Sequence, residues 1–276
     1  MIQITDTYEE IKQLFEKGGF QREAYQAYAT GISKALPEML WEDIREYDFE
    51  KDVLPVLESL FARRHEAEAA HESFLKAACA MEEKCAALPC GKIDSNVVFY
   101  LGLCNGAGWA TKLDGRPAVL LGLEKIVELG WTGERDMMGL LYHELGHQWH
   151  FQNRMAESRE ETAEEKAVWQ LYTEGVAMRF EQMMCGAPRF YHQDTDGWLD
   201  WCEENRGRLA LEYLKRVENG ESIQDFFGDW CAFEGHSDVG YYLGAEAIRL
   251  AQEENSLQEV LDFSPKQVLN YLKRLS

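Results

Sequence analysis

Apolar residues in the first third of the chain recur at spacings of three and four, the period of helices buried along one side. Asp6 with Glu9 three residues on reads as a helix start, and Gly18-Gly19 closes that helix. A second helix is predicted over Phe20 to Leu36. A short third runs from Pro37 to Tyr47, with Met39, Leu40 and Ile44 as its apolar side. A much longer one is predicted over Asp52 to Leu88, with Pro55 in its opening turn and Leu57, Leu60, Phe61, His65, Phe74, Leu75 and Met81 at mixed spacings of three and four. His65 and His71 on it read as solvated or packed.

The period changes at Pro89-Cys90-Gly91. Val97 to Leu103 is apolar and β-prone, Asn105-Gly106 is a hairpin signal, and Trp109 to Leu113 reads as the return strand. Asp114-Gly115 turns the chain again into Ala118 to Leu121, so a small antiparallel sheet is expected. A short helix over Leu123 to Leu129 ends at Gly130, and Thr132 or Gly133 introduces a long helix from Glu134 to Asn153. Beyond Ser158 the pattern is helical to the end, with breaks near Gly186 to Pro188, Gly220, Gly235 and Ser264-Pro265. The charged run Glu157 to Lys166 reads as a solvated start to the first of these helices. The expected class is α+β, mainly helical, with an N-terminal helical region over 1–90 and a core over 91–276.

A hydrophobic content of 46% in 276 residues is enough for a proper core. Seven cysteines without a CxxC pair do not form a disulfide framework and suit a reducing, cytoplasmic setting. Met1 to Glu10 carries no basic stretch followed by an apolar run, and no segment approaches a membrane span, so a soluble protein is expected. The formal charge of −21 predicts a surface that repels phosphate backbones and anionic lipid. Neither nucleic acid nor membrane is an expected partner.

The chemistry concentrates in His143-Glu144-Leu145-Gly146-His147. Residues four apart share a helix face, so His143 and His147 can present ring nitrogens to one ion, for which zinc is the natural choice. Glu144 projects beside them, where a carboxylate can take a proton from an activated water and return it to a leaving amine. A catalytic zinc takes three protein ligands. Glu174 stands out as the third, because Gly175 and Ala177 beside it are small enough to let its helix approach the motif helix closely.

Three segments then match one family in order. After HELGH, Thr173-Glu174-Gly175-Val176-Ala177 is followed by Glu181, and Tyr241-Tyr242-Leu243-Gly244 comes later. The set resembles the gluzincins, and within them the aminopeptidase branch with its Glu-Gly-x-Ala and Tyr-x-x-Gly segments. The resemblance implies a zincin-like core, His143, His147 and Glu174 as ligands of one Zn2+, and Glu144 as general base and then acid. It implies Tyr241 as donor to the oxyanion, with Tyr242 as the adjacent competitor. His236, five residues before Tyr241, is a candidate second donor. Glu181, two turns beyond Glu174, fits either a carboxylate that orients a ligand histidine or a surface ion pair. His150 reads as packed, and His192 has no supporting pattern.

The chain departs from that branch in two places. There are 26 residues between His147 and Glu174, more than the branch has. Where the branch carries a glutamate that binds the substrate's free amine, this chain has Asn105-Gly106-Ala107-Gly108-Trp109. The expected activity is zinc-dependent hydrolysis of a peptide or protein substrate, endo or exo; Ala118 to Leu121 reads either as an exposed edge strand that pairs with the substrate or as part of an ordinary hairpin in the core. The alternative is a silent peptidase-like module that binds peptide without cutting it. Oligomeric state is not predicted.

Overall fold

The computed structural model describes residues 1–16, 19–87, 91–156, 162–228 and 231–276. It is mainly helical with one four-stranded sheet, and it divides into two compact units. The first comprises Met1–Ala87 and Ile93–Gln148, the second Leu88–Lys92 and Trp149–Ser276. The change of period at Pro89-Cys90 lies outside the described residues.

The sheet of the first unit has the order β1 (Ile2–Asp6), β2 (Ser95–Tyr100), β4 (Arg116–Gly122), β3 (Gly108–Leu113). β1 and β4 both run parallel to β2, and only β3 is antiparallel to its neighbour. The sheet is therefore mixed, where the sequence predicts an antiparallel one. Two signals account for the difference. The first residues form a strand, which sequence reading had passed over. Residues 101–107 do not close a hairpin at Asn105-Gly106; they carry the chain past the place that β4 fills, so β2 and β3 each pair with β4.

β2 and β4 occupy the interior, with Val97, Val98, Phe99 and Ala118 to Leu121 buried, as strands covered on both faces require. Ala118 to Leu121 is thus a central strand, and β3 is the edge near the motif. The β3–β4 turn is the one expected: Leu113 pairs with Arg116, and Asp114 and Gly115 both have positive φ, the two-residue turn that matches strand twist.

Around the sheet lie α1 (Tyr8–Phe15), α2 (Arg22–Ile32), α3 (Leu36–Asp43), α4 (Leu54–Ala62), α5 (Arg64–Ala86) and α6 (Leu123–Glu128). Gly18, expected to close the first helix, lies outside the described residues. The long helix predicted from Asp52 is two helices that part at Arg63, where ψ leaves the helical range at 41°. Pro55 sits in the first turn of α4, and Ala67, Ala70, Phe74, Ala77 and Met81 form the buried stripe of α5. Phe74 stacks on Phe99 of β2. His71 stacks on Tyr8, with Nε2 2.7 Å from Asp6 Oδ2, so it is packed.

α7 spans Glu134–Asn153, the range the pattern predicts, and contributes residues to both units. The second unit adds α8 (Ala163–Cys185), α9 (Trp198–Asn219), α10 (Val239–Glu254), α11 (Leu257–Leu261) and α12 (Pro265–Lys273). Their ends carry the expected chemistry. Thr162 and Glu165 form a capping box, Gly186 and Gly220 take left-handed C-caps, and Ser264 caps the turn that holds Pro265. Of the charged run before α8, residues 157–161 lie outside the described set. Among the described residues six cysteines are free thiols, and no helix is long and apolar enough to cross a membrane.

One buried carboxylate organises the connection from β2 to β3. Glu124, in the first turn of α6, accepts the backbone N–H of Gly102 at 2.8 Å and of Cys104 at 3.0 Å. Burial nevertheless pushes its carboxyl up to about 7, because the two donors only partly offset desolvation. The folded state then binds a proton that the unfolded chain has released, so this group's stabilisation is lost as pH rises from about 4.5 to about 7. The stability difference between wild type and Glu124→Gln, measured by denaturant unfolding, is expected to be more favourable to wild type at pH 5 than at pH 8. The change should be on the order of 3 kcal/mol. Parallel pH profiles for the two proteins would contradict this.

Candidate metal centre

HELGH occupies the middle of α7. Trp131, Thr132 and Gly133 lead into the helix, with Glu134 and Asp136 in its first turn, where negative side chains suit the helix N-terminus. His143 and His147 stand one turn apart with their Nε2 atoms 3.2 Å from each other. The possible ligand atoms of His143, His147 and Glu174 all lie within 4.8 Å of one another, so this group could hold a metal ion. The chemistry of the donors fits. Two imidazole nitrogens bound to one tetrahedral zinc at ~2.1 Å would stand about 3.4 Å apart, close to the observed separation. His143 is buried and the other two are half-buried.

Glu144 is 8% exposed and lies against the sheet. A Cβ added at Gly108 would come 2.5 Å from its Oε1 and 2.6 Å from its Cγ, so the carboxylate rests in a place that glycine leaves open at the start of β3. One turn later Gln148 donates through Nε2 to the carbonyls of Thr111 and Ala118, both at 3.0 Å. α7 is thereby fixed to the β3–β4 hairpin on the side that carries Glu144. Sequence reading missed Gln148 and Gly108. The only signals were an amide directly after HELGH and a glycine in place of the branch's substrate-binding segment.

The last turn of α7 packs on α8 through aromatic rings. Trp149 meets Phe180 at 5.1 Å between centroids, and His150 meets Tyr172 edge-on at 4.8 Å. His150 is fully buried with Nε2 3.2 Å from both the Tyr172 hydroxyl and the Leu261 carbonyl, so it is packed as expected. Gly175 plays a different part from the one expected. A Cβ there would lie 2.4 Å from the carbonyl carbon and oxygen of Gly244, and one at Gly244 would lie 2.5 Å from the Leu171 carbonyl. Gly175, beside Glu174, therefore lets α8 meet α10.

That contact joins two of the segments singled out by sequence. Glu174 precedes Gly175 on α8, and Tyr241 precedes Gly244 by one turn on α10. The register of α10 also separates the two tyrosines. Tyr242 is buried on Tyr191 and Trp198, and burial pushes its hydroxyl well up. Tyr241 is half-buried, with its ring edge-on to Phe227.

His236 is stacked on Trp201 with centroids 3.7 Å apart, in a turn closed by reciprocal backbone bonds between Phe233 and His236. Glu181 is fully buried and holds His192, accepting its backbone N–H at 3.2 Å with Nδ1 3.0 Å from both carboxylate oxygens. A surface ion pair is thus ruled out for Glu181, and His192, for which no pattern spoke, is its partner.

Replacing Gly175 by Ala forces a methyl against the α10 backbone. It is expected to cost about 1–3 kcal/mol in denaturant unfolding. An unchanged midpoint would show that the two helices part without cost. Compared with known proteins, the chain matches no family model, no curated protein and no solved structure.

Proposed function

We propose that the chain is a zinc-dependent peptidase of the gluzincin type. The observation that carries this reading is the grouping of His143, His147 and Glu174, with the Glu144 carboxylate, next in sequence to His143, seated against Gly108. Zinc, when bound, supplies polarisation of the scissile carbonyl and acidification of a bound water. Glu144 would act as general base toward the attacking water and then as general acid toward the departing nitrogen. Its seat over Gly108 leaves few rotamers to be lost in reaching that position. Tyr241, the half-buried tyrosine, donates to the oxygen that gains charge.

The edge strand gives the substrate a direction. β3 has β4 on one side and no further strand among the described residues on the other. An extended peptide can pair there, its backbone led past Gly108 and the Glu144 carboxylate. Nothing at Asn105 to Trp109 offers a carboxylate to a free α-amine, which favours cleavage within a chain over removal of the first residue.

Zinc-supplied protein incubated with a degenerate peptide library, with products read by mass spectrometry, tests the proposal. Wild type should cut, and Glu144→Gln should lose activity by roughly 10²- to 10⁴-fold while staying folded and metal-bound. Tyr241→Phe should lose about 10²-fold in turnover, with substrate binding little changed. Full activity in Glu144→Gln would refute the mechanism. Peptide binding without any cleavage by zinc-loaded wild type would favour a peptide-binding module instead.

A further inference from the structure

The second unit holds a cavity of about 370 Å³ that the peptidase reading does not use. Val176, Phe180 and Met183 recur at helical spacing on α8 and make one wall. Ile248 of α10, Val260 and Leu261 of α11 and Trp149 make the others. A cavity of this size and lining suits a small molecule with an apolar body.

One charged side chain lines it, that of Arg179. Its Nε donates to Gln252 Oε1 at 3.0 Å and one Nη donates to Gln182 Oε1. Both partners are neutral amides. A guanidinium has five N–H groups, so three remain without an acceptor among the described residues. The lack of a carboxylate is not for want of acids in a chain with 49 of them. On the neighbouring helix Arg249 is paired with both Glu246 and Glu253. Burial holds the Arg179 guanidinium below its ordinary value, outweighing the opposing pull of the nearby Tyr191 and Glu246. A half-buried arginine clamped by two amides at the wall of an apolar cavity is set to receive a planar anion through paired charge-assisted bonds.

We propose that this cavity binds a small apolar carboxylate, its hydrocarbon body against Trp149, Phe180 and Leu261 and its carboxylate on Arg179. The site is separate from His143, His147 and Glu174, and it stands whether or not the chain hydrolyses peptides.

Isothermal titration of the full chain with decanoate, 1-decanol and acetate, below the micellar range at pH 8, tests this. Decanoate should bind saturably at one site, at least tenfold more tightly than decanol, and acetate should not bind measurably. Arg179→Gln should weaken decanoate at least tenfold and change decanol less than twofold. Ala187→Trp, which fills the rim without altering the arginine, should weaken both. Circular dichroism checks that each variant is folded, and two independent variants guard against the loss of one. Equal affinity for decanoate and decanol, unchanged decanoate binding in either folded variant, or no saturable decanoate binding would each overturn the proposal.

Discussion

Burying an imidazole and a carboxylate, with a second imidazole half-buried one turn on, costs free energy that hydrogen bonds or a cation can offset. His143 and Glu144 are 3% and 8% exposed, and α7 is held as that burden demands. Its flank is fastened to the β3–β4 hairpin by Gln148, which satisfies two backbone carbonyls that would otherwise have to find other donors. Its last turn is fastened to α8 by Trp149 and His150. Just before these anchors the two histidines have their Nε2 atoms 3.2 Å apart, and the glutamate lies over a glycine. A backbone fastened directly after the motif helps a metal site, since ligands must be in place before the ion arrives.

The same logic explains why the separate sequence segments belong together. Gly175 and Gly244 bring α8 and α10 into backbone contact, so the glutamate before one glycine and the tyrosine one turn before the other are tied to a single close packing of helices. Ordinary side chains at either position would separate the helices and move both groups. Glu181, buried with His192 on the same helix as Glu174, adds a polar pair whose geometry leaves little freedom. Its carboxylate and the His192 ring satisfy each other, which is how a charged group persists in a core.

Much of this was legible in the chain. The bounds of α7 followed from turn residues before Glu134 and from the apolar period, and the three-residue metal group followed from helical spacing and one glutamate beside small residues. The order of the sheet was not legible, because a hairpin signal at Asn105-Gly106 says that the chain turns and not which strand it turns toward. β1 is five residues, too short for its alternation to stand out. Gly175 signalled a close approach, but its partner is α10 and not the motif helix that the sequence suggested. The partner of Glu181 was hidden for a similar reason: its histidine lies eleven residues on, beyond the end of the helix, where periodicity no longer predicts position.

The central claim is that His143, His147 and Glu174 form one metal site, and metal content per chain tests it most directly. Purified wild type, supplied with zinc and freed of excess, should retain close to one zinc, and Glu174→Ala treated alongside it should retain much less while remaining folded. Wild type without zinc, or a folded Glu174→Ala that holds as much as wild type, would contradict the account.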